Sequence, residues 1–227
     1  MKKLFFSLMT MLGVALSNAG SQATTLATDL SVEGGASISN FSTHRGLATR
    51  EDSIGGSLAL STAVGGGDLS FGASLFDTDG GGEMDFGASY SLGVDLFGQN
   101  IGLTAALKDT ESIFGDREEL SLTASYTYIA DLSVGVWYED NNDLFGVELG
   151  VSYDFKTPVE NLTLSPFVTV NFAEEYEALE LGVKADYVLT EDVSIIGKVS
   201  FNNNTFEGSS FEVDEEWVVG AGLSYKF

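Results

Sequence analysis

Residues 144–155 read LFGVELGVSYDF, and the two sets of alternate positions carry different chemistry. Phe145, Val147, Leu149, Val151, Tyr153 and Phe155 form one set; Leu144, Gly146, Glu148, Gly150, Ser152 and Asp154 form the other. A period of two places one set on each face of a β-strand, so this segment separates an apolar environment from one that is small or polar. Flanking segments repeat the division. Leu120, Leu122, Ala124, Tyr126 and Tyr128 oppose Glu119, Ser121, Thr123, Ser125 and Thr127, and Leu179, Leu181, Val183, Ala185 and Tyr187 oppose Glu180, Gly182, Lys184 and Asp186. At the end of the chain Trp217, Val219, Ala221, Leu223, Tyr225 and Phe227 oppose Glu216, Gly220, Gly222, Ser224 and Lys226.

Dividing the chain at its Gly, Asn and Asp clusters gives twelve such segments, near 29–40, 53–64, 68–77, 84–95, 100–109, 118–129, 131–140, 144–155, 161–172, 177–189, 193–201 and 215–227. Most are about the 9–13 residues a tilted membrane-crossing strand needs, against an average of about 5–6 in soluble proteins. The pattern predicts an all-β fold, a single closed antiparallel transmembrane β-barrel of twelve strands. Short connections such as Gly65–Gly67 and Leu96–Gln99 alternate with longer ones, Phe41–Asp52 and Asn202–Asp214 among them, which assigns the longer set to the cell exterior. Tyr128, Tyr153, Phe155, Tyr187, Tyr225 and Phe227 gather near the short turns, and Tyr138, Phe145, Phe172, Phe201 and Trp217 near the long loops. Two aromatic belts at headgroup level are expected of a barrel in a bilayer. A soluble β-sandwich, whose strands also alternate, is the competing architecture.

Residues 1–23, MKKLFFSLMTMLGVALSNAGSQA, have two lysines, an apolar core and small residues offering cleavage after Ala19 or Ala23. This is the pattern of a secretory signal peptide, which leaves 24–227 as the barrel. Over all 227 residues, 34 acidic and 10 basic side chains give a net charge of −24, and cleavage after Ala23 removes Lys2 and Lys3 to leave −26. Such a surface repels phosphate backbones, so nucleic acid is excluded as a partner and cations are favoured. Cysteine is absent and His44 is the single histidine, which removes thiolate chemistry and most imidazole chemistry.

With the signal peptide, the repeated strands and the ending Leu223-Ser224-Tyr225-Lys226-Phe227, the sequence resembles Gram-negative outer-membrane β-barrel proteins, the small porins in particular. In that class a terminal Phe preceded by alternating apolar residues is read by the barrel-assembly machinery, which implies that role for Tyr225 and Phe227. Thr43-His44-Arg45-Gly46 is similar to an aromatic-Arg-Gly element of TorF-like porins, with His in the aromatic position.

Twelve strands about 4.8 Å apart and tilted about 40° enclose a backbone cylinder roughly 24 Å across, leaving about 10 Å between side chains. The inward set is mostly Gly, Ser, Ala and Thr, which suits an open lumen; Trp137 and Phe167 are the candidates to plug it. Inward charges are expected at Glu33, Asp85, Asp95, Lys108, Glu119, Glu148, Asp154, Glu180, Lys184, Asp186, Lys198 and Lys226. Among these, Glu33, Asp85, Lys108, Glu119, Glu148, Glu180, Lys184, Asp186 and Lys198 are the candidate pore-lining residues. Acids outnumber bases two to one, so the field favours cations. Lys184 and Lys198 fall at mid-height on neighbouring strands, within reach of Glu148, Glu180 or Asp186.

Two functions follow from these residues. One is a porin-like channel for passive diffusion of ions and small hydrophilic solutes, with a preference for cations. The other is a plugged structural or surface-interaction barrel whose acidic loops bind divalent cations and lipopolysaccharide, or receive a phage or another cell. Neither is enzymatic, and no catalytic group, cofactor or dedicated metal site is expected. His44 has no partner pattern for hydrolysis, and the run from Asp77 to Glu83 begins like a calcium loop but puts Ala88 where the bidentate Glu belongs.

Overall fold

The computed structural model describes residues 30–44, 47–77, 81–112, 116–141, 143–174, 176–206 and 215–227. The expected signal peptide, both candidate cleavage sites, and Arg45 and Gly46 of the first-loop motif lie outside them. The described chain is a succession of strands: β1 (Leu30–His44), β2 (Leu47–Val64), β3 (Gly67–Asp77), β4 (Glu83–Leu96), β5 (Gln99–Ser112), β6 (Arg117–Thr127), β7 (Asp131–Glu139), β8 (Leu144–Ser152), β9 (Phe155–Lys156), β10 (Leu162–Ala173), β11 (Tyr176–Val188), β12 (Val193–Phe206) and β13 (Glu215–Lys226). Each pairs antiparallel with its neighbours, and β1 pairs with β13, so the sheet closes into a barrel. The two-residue β9 continues β8, which gives twelve staves.

The break between β8 and β9 has a covalent cause. Tyr153 N–H donates to the Pro166 carbonyl at 3.1 Å, but proline has no N–H to return the bond, so the ladder lapses and resumes at Phe155 opposite Leu164. Ser165 Oγ donates to Asp154 Oδ1 at 2.6 Å and spans the lapse.

Registry confirms the two-faced pattern. Leu58, Phe71, Phe86, Leu122, Val134, Leu149, Val168, Val183, Val199 and Val219 are exposed on the outer surface, where a soluble core would bury them. An apolar belt around a closed ring is stable only against lipid. The aromatics assigned to the belts are outside as well: Tyr128, Tyr153, Phe155, Tyr225 and Phe227 at the short-turn end, and Tyr138, Phe145, Phe172 and Trp217 at the other. Gly65-Gly66 and Phe97-Gly98, all at positive φ, make the two-residue turns whose twist matches hairpin strands. In the second, Gly98 N–H donates to Asp95 Oδ1 at 2.9 Å.

The strands run further toward the long-loop end than the sequence pattern predicts. Phe41–Asp52 is expected as a loop, but β1 continues to His44 and β2 starts at Leu47, with a register shift between Ser42 and Thr43. Likewise β5 extends to Ser112 and β12 to Phe206. Beyond the bilayer both faces meet water, so strand positions there need no alternation and look like loop in the sequence.

Candidate functional site

The site is the interior of the ring, and the ladder fixes which side chains enter it. Glu33 opposes Ala59, Gly72 opposes Gly87, Lys108 opposes Glu119, and Thr169 opposes Glu180. Every one of these belongs to the face opposite the exposed apolar set. The register therefore places Glu33, Asp85, Lys108, Glu119, Glu148, Glu180, Lys184, Asp186 and Lys198 on the lumen side. Asp95 and Lys226 are there too, and Asp154 joins them through Ser165.

The interior is uneven. Along β1–β5 it is lined by Gly35, Ser37, Ser57, Ala59, Ser70, Gly72, Ser74, Gly87, Ser89 and Ala106, whose short side chains leave room. A cavity of about 560 Å³ runs against β1, β2, β12 and β13, and another of about 400 Å³, sharing Ser57 and Ala59 with it, continues over β3–β5. Toward the long loops the interior is filled. Trp137, Tyr176, Ala178, Val218, Asn171, Ser200 and Asn202 are buried there, Val218 also bordering the larger cavity. The Trp137 and Tyr176 rings stack with centroids 6.3 Å apart, and the Trp137 indole covers Gly146, its register partner, where no Cβ would fit. Phe76 covers Gly55 in the same manner. Trp137 and Phe167, the two candidate plugs, thus stand on β7 and β10, away from the two cavities.

Charges within this outer half are arranged in pairs. Lys108 Nζ lies 3.0 Å from Asp85 Oδ2, Arg117 Nη2 lies 3.6 Å from Glu83 Oε2, and Lys198 is ion-paired to Glu180. Thr110 Oγ1 donates to the other oxygen of Asp85 at 2.7 Å. Lys184 opposes Lys198 in register, and both ammonium groups sit over the Phe167 ring, at 5.1 and 5.5 Å from its centroid. That resolves the alternatives for these two lysines: Lys198 takes Glu180, and Lys184 takes an aromatic face.

Sequence reasoning missed several lumen residues. Glu83 and Arg117 fall just outside the twelve expected segments and Glu139 near the end of one, but all three open or close strands and point inward, with Glu83 and Glu139 buried. Their parity with Asp85, Trp137 and Glu119 was the available signal. Asn171, Ser200 and Asn202 carry neither charge nor aromatic character and gave no signal. Counting these, the outer half of the lumen holds seven carboxylates (Glu83, Asp85, Glu119, Glu139, Glu148, Glu180, Glu216) and four bases (Lys108, Arg117, Lys184, Lys198) among the described residues. No group of three or more His, Cys, Asp or Glu among the described residues is placed to hold a metal ion.

At the opposite end, β1 and β13 close the ring. Ser224 Oγ donates to Glu33 Oε1 at 2.5 Å, Phe227 N–H donates to the Val32 carbonyl at 2.9 Å, and the Tyr225 and Phe227 rings meet edge to face at 4.4 Å on the outer surface. The terminal aromatic is therefore tied into the seam and still 75% exposed.

No protein-family model matches the chain, and no curated protein sequence does. Solved structures do. A KdgM porin aligns over 87% of this chain and 99% of its own with a TM-score of 0.56 at 10% identity. A NanC porin aligns over 88% and 100% with a TM-score of 0.53 at 14% identity. An outer membrane channel from Pseudomonas putida F1 aligns over 92% and 100%, again with a TM-score of 0.53 and 14% identity. At these identities the likeness is one of fold: this chain is built as a small outer-membrane porin-type barrel of twelve staves.

Proposed function

We propose that the protein sits in the outer membrane as a channel for passive diffusion of ions and small hydrophilic solutes, and that it prefers cations. The observation that carries this reading is the combination of a lipid-facing apolar exterior with an interior whose β1–β5 wall is lined by Gly, Ser and Ala beside cavities of about 560 and 400 Å³. The cation preference rests on the seven carboxylates and four bases of the outer half, since charged groups lining a narrow lumen set the sign of the ion that enters. A KdgM porin structure is a complex with disordered oligogalacturonate, a polyanion. The acidic interior here argues against such a solute and for cations or neutral polar molecules.

Export by the 1–23 signal peptide and recognition of Tyr225 and Phe227 by the barrel-assembly machinery belong to the same proposal. The exposed Phe227 ring supports it, because a recognised group must be reachable. The plugged-barrel reading draws on the buried belt around Trp137 and Asn202. Planar-bilayer recording across a KCl gradient separates the two: the channel reading expects discrete conductance steps and a cation-selective reversal potential. Absence of conductance, together with failure of small sugars to swell proteoliposomes, refutes it in favour of the plugged barrel. An anion-selective reversal potential refutes the ion preference alone.

A further inference from the structure

Two of the short turns are more apolar than turns that face water. Residues 96–99 read Leu-Phe-Gly-Gln and residues 128–130 read Tyr-Ile-Ala, with no charge in either. Phe97 is 104% exposed, Tyr128 77% and Ile129 73%, and Leu96 and Leu132 beside them are exposed as well. Other short connections differ. Gly65-Gly66 has no side chain to offer, and those at 156–160 and 190–192 carry Lys156, Glu160, Glu191 and Asp192. The uncharged apolar tips belong to the arc from β4 to β7.

Local conformation opposes the residue at one of these tips. Phe97 has a φ of +55° and Gly98 of +77°, the left-handed pair that a two-residue hairpin turn requires and that Asn-Gly fits best. A bulky side chain adopts that region only at a cost, because its Cβ crowds the backbone. A residue held against its backbone preference, with its whole surface exposed, points to a contact outside the chain.

The two turns form one patch. β5 pairs with β6, so the β4–β5 and β6–β7 hairpins stand side by side, and Tyr126 Oη donates to Gln99 Oε1 at 2.6 Å between them. Facing shows what the patch meets. Leu96 shares the parity of Phe86, Tyr128 that of Leu122, and Leu132 that of Val134, all on the outer apolar surface. The flanking acids Asp95 and Asp131 have the opposite parity, toward the lumen. Each is held locally: Asp95 Oδ1 accepts from Gly98 N–H at 2.9 Å, and Asp131 Oδ1 from the Thr127 hydroxyl at 2.6 Å. The apolar belt therefore continues, with no charged step, to the tips of these two hairpins.

We propose that the turns at 96–99 and 128–130 are seated in the bilayer leaflet on the short-turn side, with Phe97 and Ile129 among the acyl chains, and anchor this arc of the barrel to lipid. The charged turns at 156–160 and 190–192 stay in water, so the barrel is held deeper on its β4–β7 side. The proposal rests on the membrane placement above and is independent of conduction.

The chain has no cysteine, so single nitroxide labels are attached at Phe97→Cys, Ile129→Cys, Glu191→Cys and, within the apolar belt, Leu122→Cys. Each labelled protein is folded into phosphatidylcholine vesicles and checked by heat-modifiable gel mobility. Electron paramagnetic resonance then reads collision with oxygen, which concentrates among acyl chains, and with a water-soluble nickel chelate. Oxygen is expected to dominate at 97, 129 and 122, and the chelate at 191. Chelate access at 97 and 129 equal to that at 191 overturns the proposal, and so does protection from both reagents, which would place a protein against the patch. Chelate access at 122 as well overturns the membrane placement with it. Phe97→Asn gives a test that needs no label, because Asn is the residue this turn prefers. Its urea midpoint in vesicles is expected to fall; an unchanged or higher midpoint overturns the proposal.

Discussion

Replacing Glu119, Glu139 and Glu148 by Gln is expected to abolish most of the cation preference. The three lie on neighbouring staves β6, β7 and β8, on lumen positions, and Gln keeps the size and hydrogen-bonding reach of Glu. The outer half of the lumen passes from a net of three negative charges, counted above, to none. An ion on the axis of a lumen about 10 Å wide is about 5 Å from each wall charge, which gives about 0.8 kcal/mol per charge at the dielectric constant of water. Screening at 0.1 M salt, with a Debye length of about 10 Å, reduces this to roughly 0.5 kcal/mol. Three charges then amount to about 1.5 kcal/mol, about a tenfold change in how strongly a cation partitions into the constriction. The assay is the reversal potential in a tenfold KCl gradient, wild type against triple variant, both folded by heat-modifiable mobility. The reasoning is refuted if the variant conducts with the wild-type reversal potential, because that would place the selecting charges outside this belt.

Three further outcomes test other parts of the structure. Gly146→Val forces a side chain into the volume held by the Trp137 indole, and the folded yield is expected to fall; pairing it with Trp137→Ala should restore folding, read by heat-modifiable mobility. Asn40→Ala removes two bonds that cap the split seam, at an expected loss of about 1–3 kcal/mol in urea unfolding from detergent or lipid. Phe227→Ala is expected to reduce the amount of protein assembled in the outer membrane of living cells by several-fold while leaving refolding into pure lipid vesicles nearly unchanged; equal losses in both would assign Phe227 to seam stability alone.

How much could be read in advance differs along each strand. Across the membrane the two faces meet solvents of opposite character, so every residue is committed to one of them, and the alternation at 144–155 or 177–189 gives strand, facing and register together. Lys108, Glu180 and Lys198 were assigned to the lumen in this way. Toward the long loops that constraint ends. β1 past Ser39 and β12 past Asn202 have the Ser, Thr and Asn composition of a loop. For the same reason Glu83 and Arg117 were left just outside the strands they open. Pro166 is legible as a ladder breaker, but only the pairing of β10 with β8 shows that it interrupts the neighbour and not its own strand.

The sequence by itself determined that this chain is a barrel with an apolar outside and an acidic inside, because facing in a strand depends on parity, a property of neighbours along the chain. The choice of Glu180 for Lys198, the seating of Trp137 over Gly146, and the approach of β2 to β12 were decided only in the closed structure. Each depends on the distance between staves brought together by closure, and closure relates residues such as Glu33 and Ser224 that lie almost the whole chain apart.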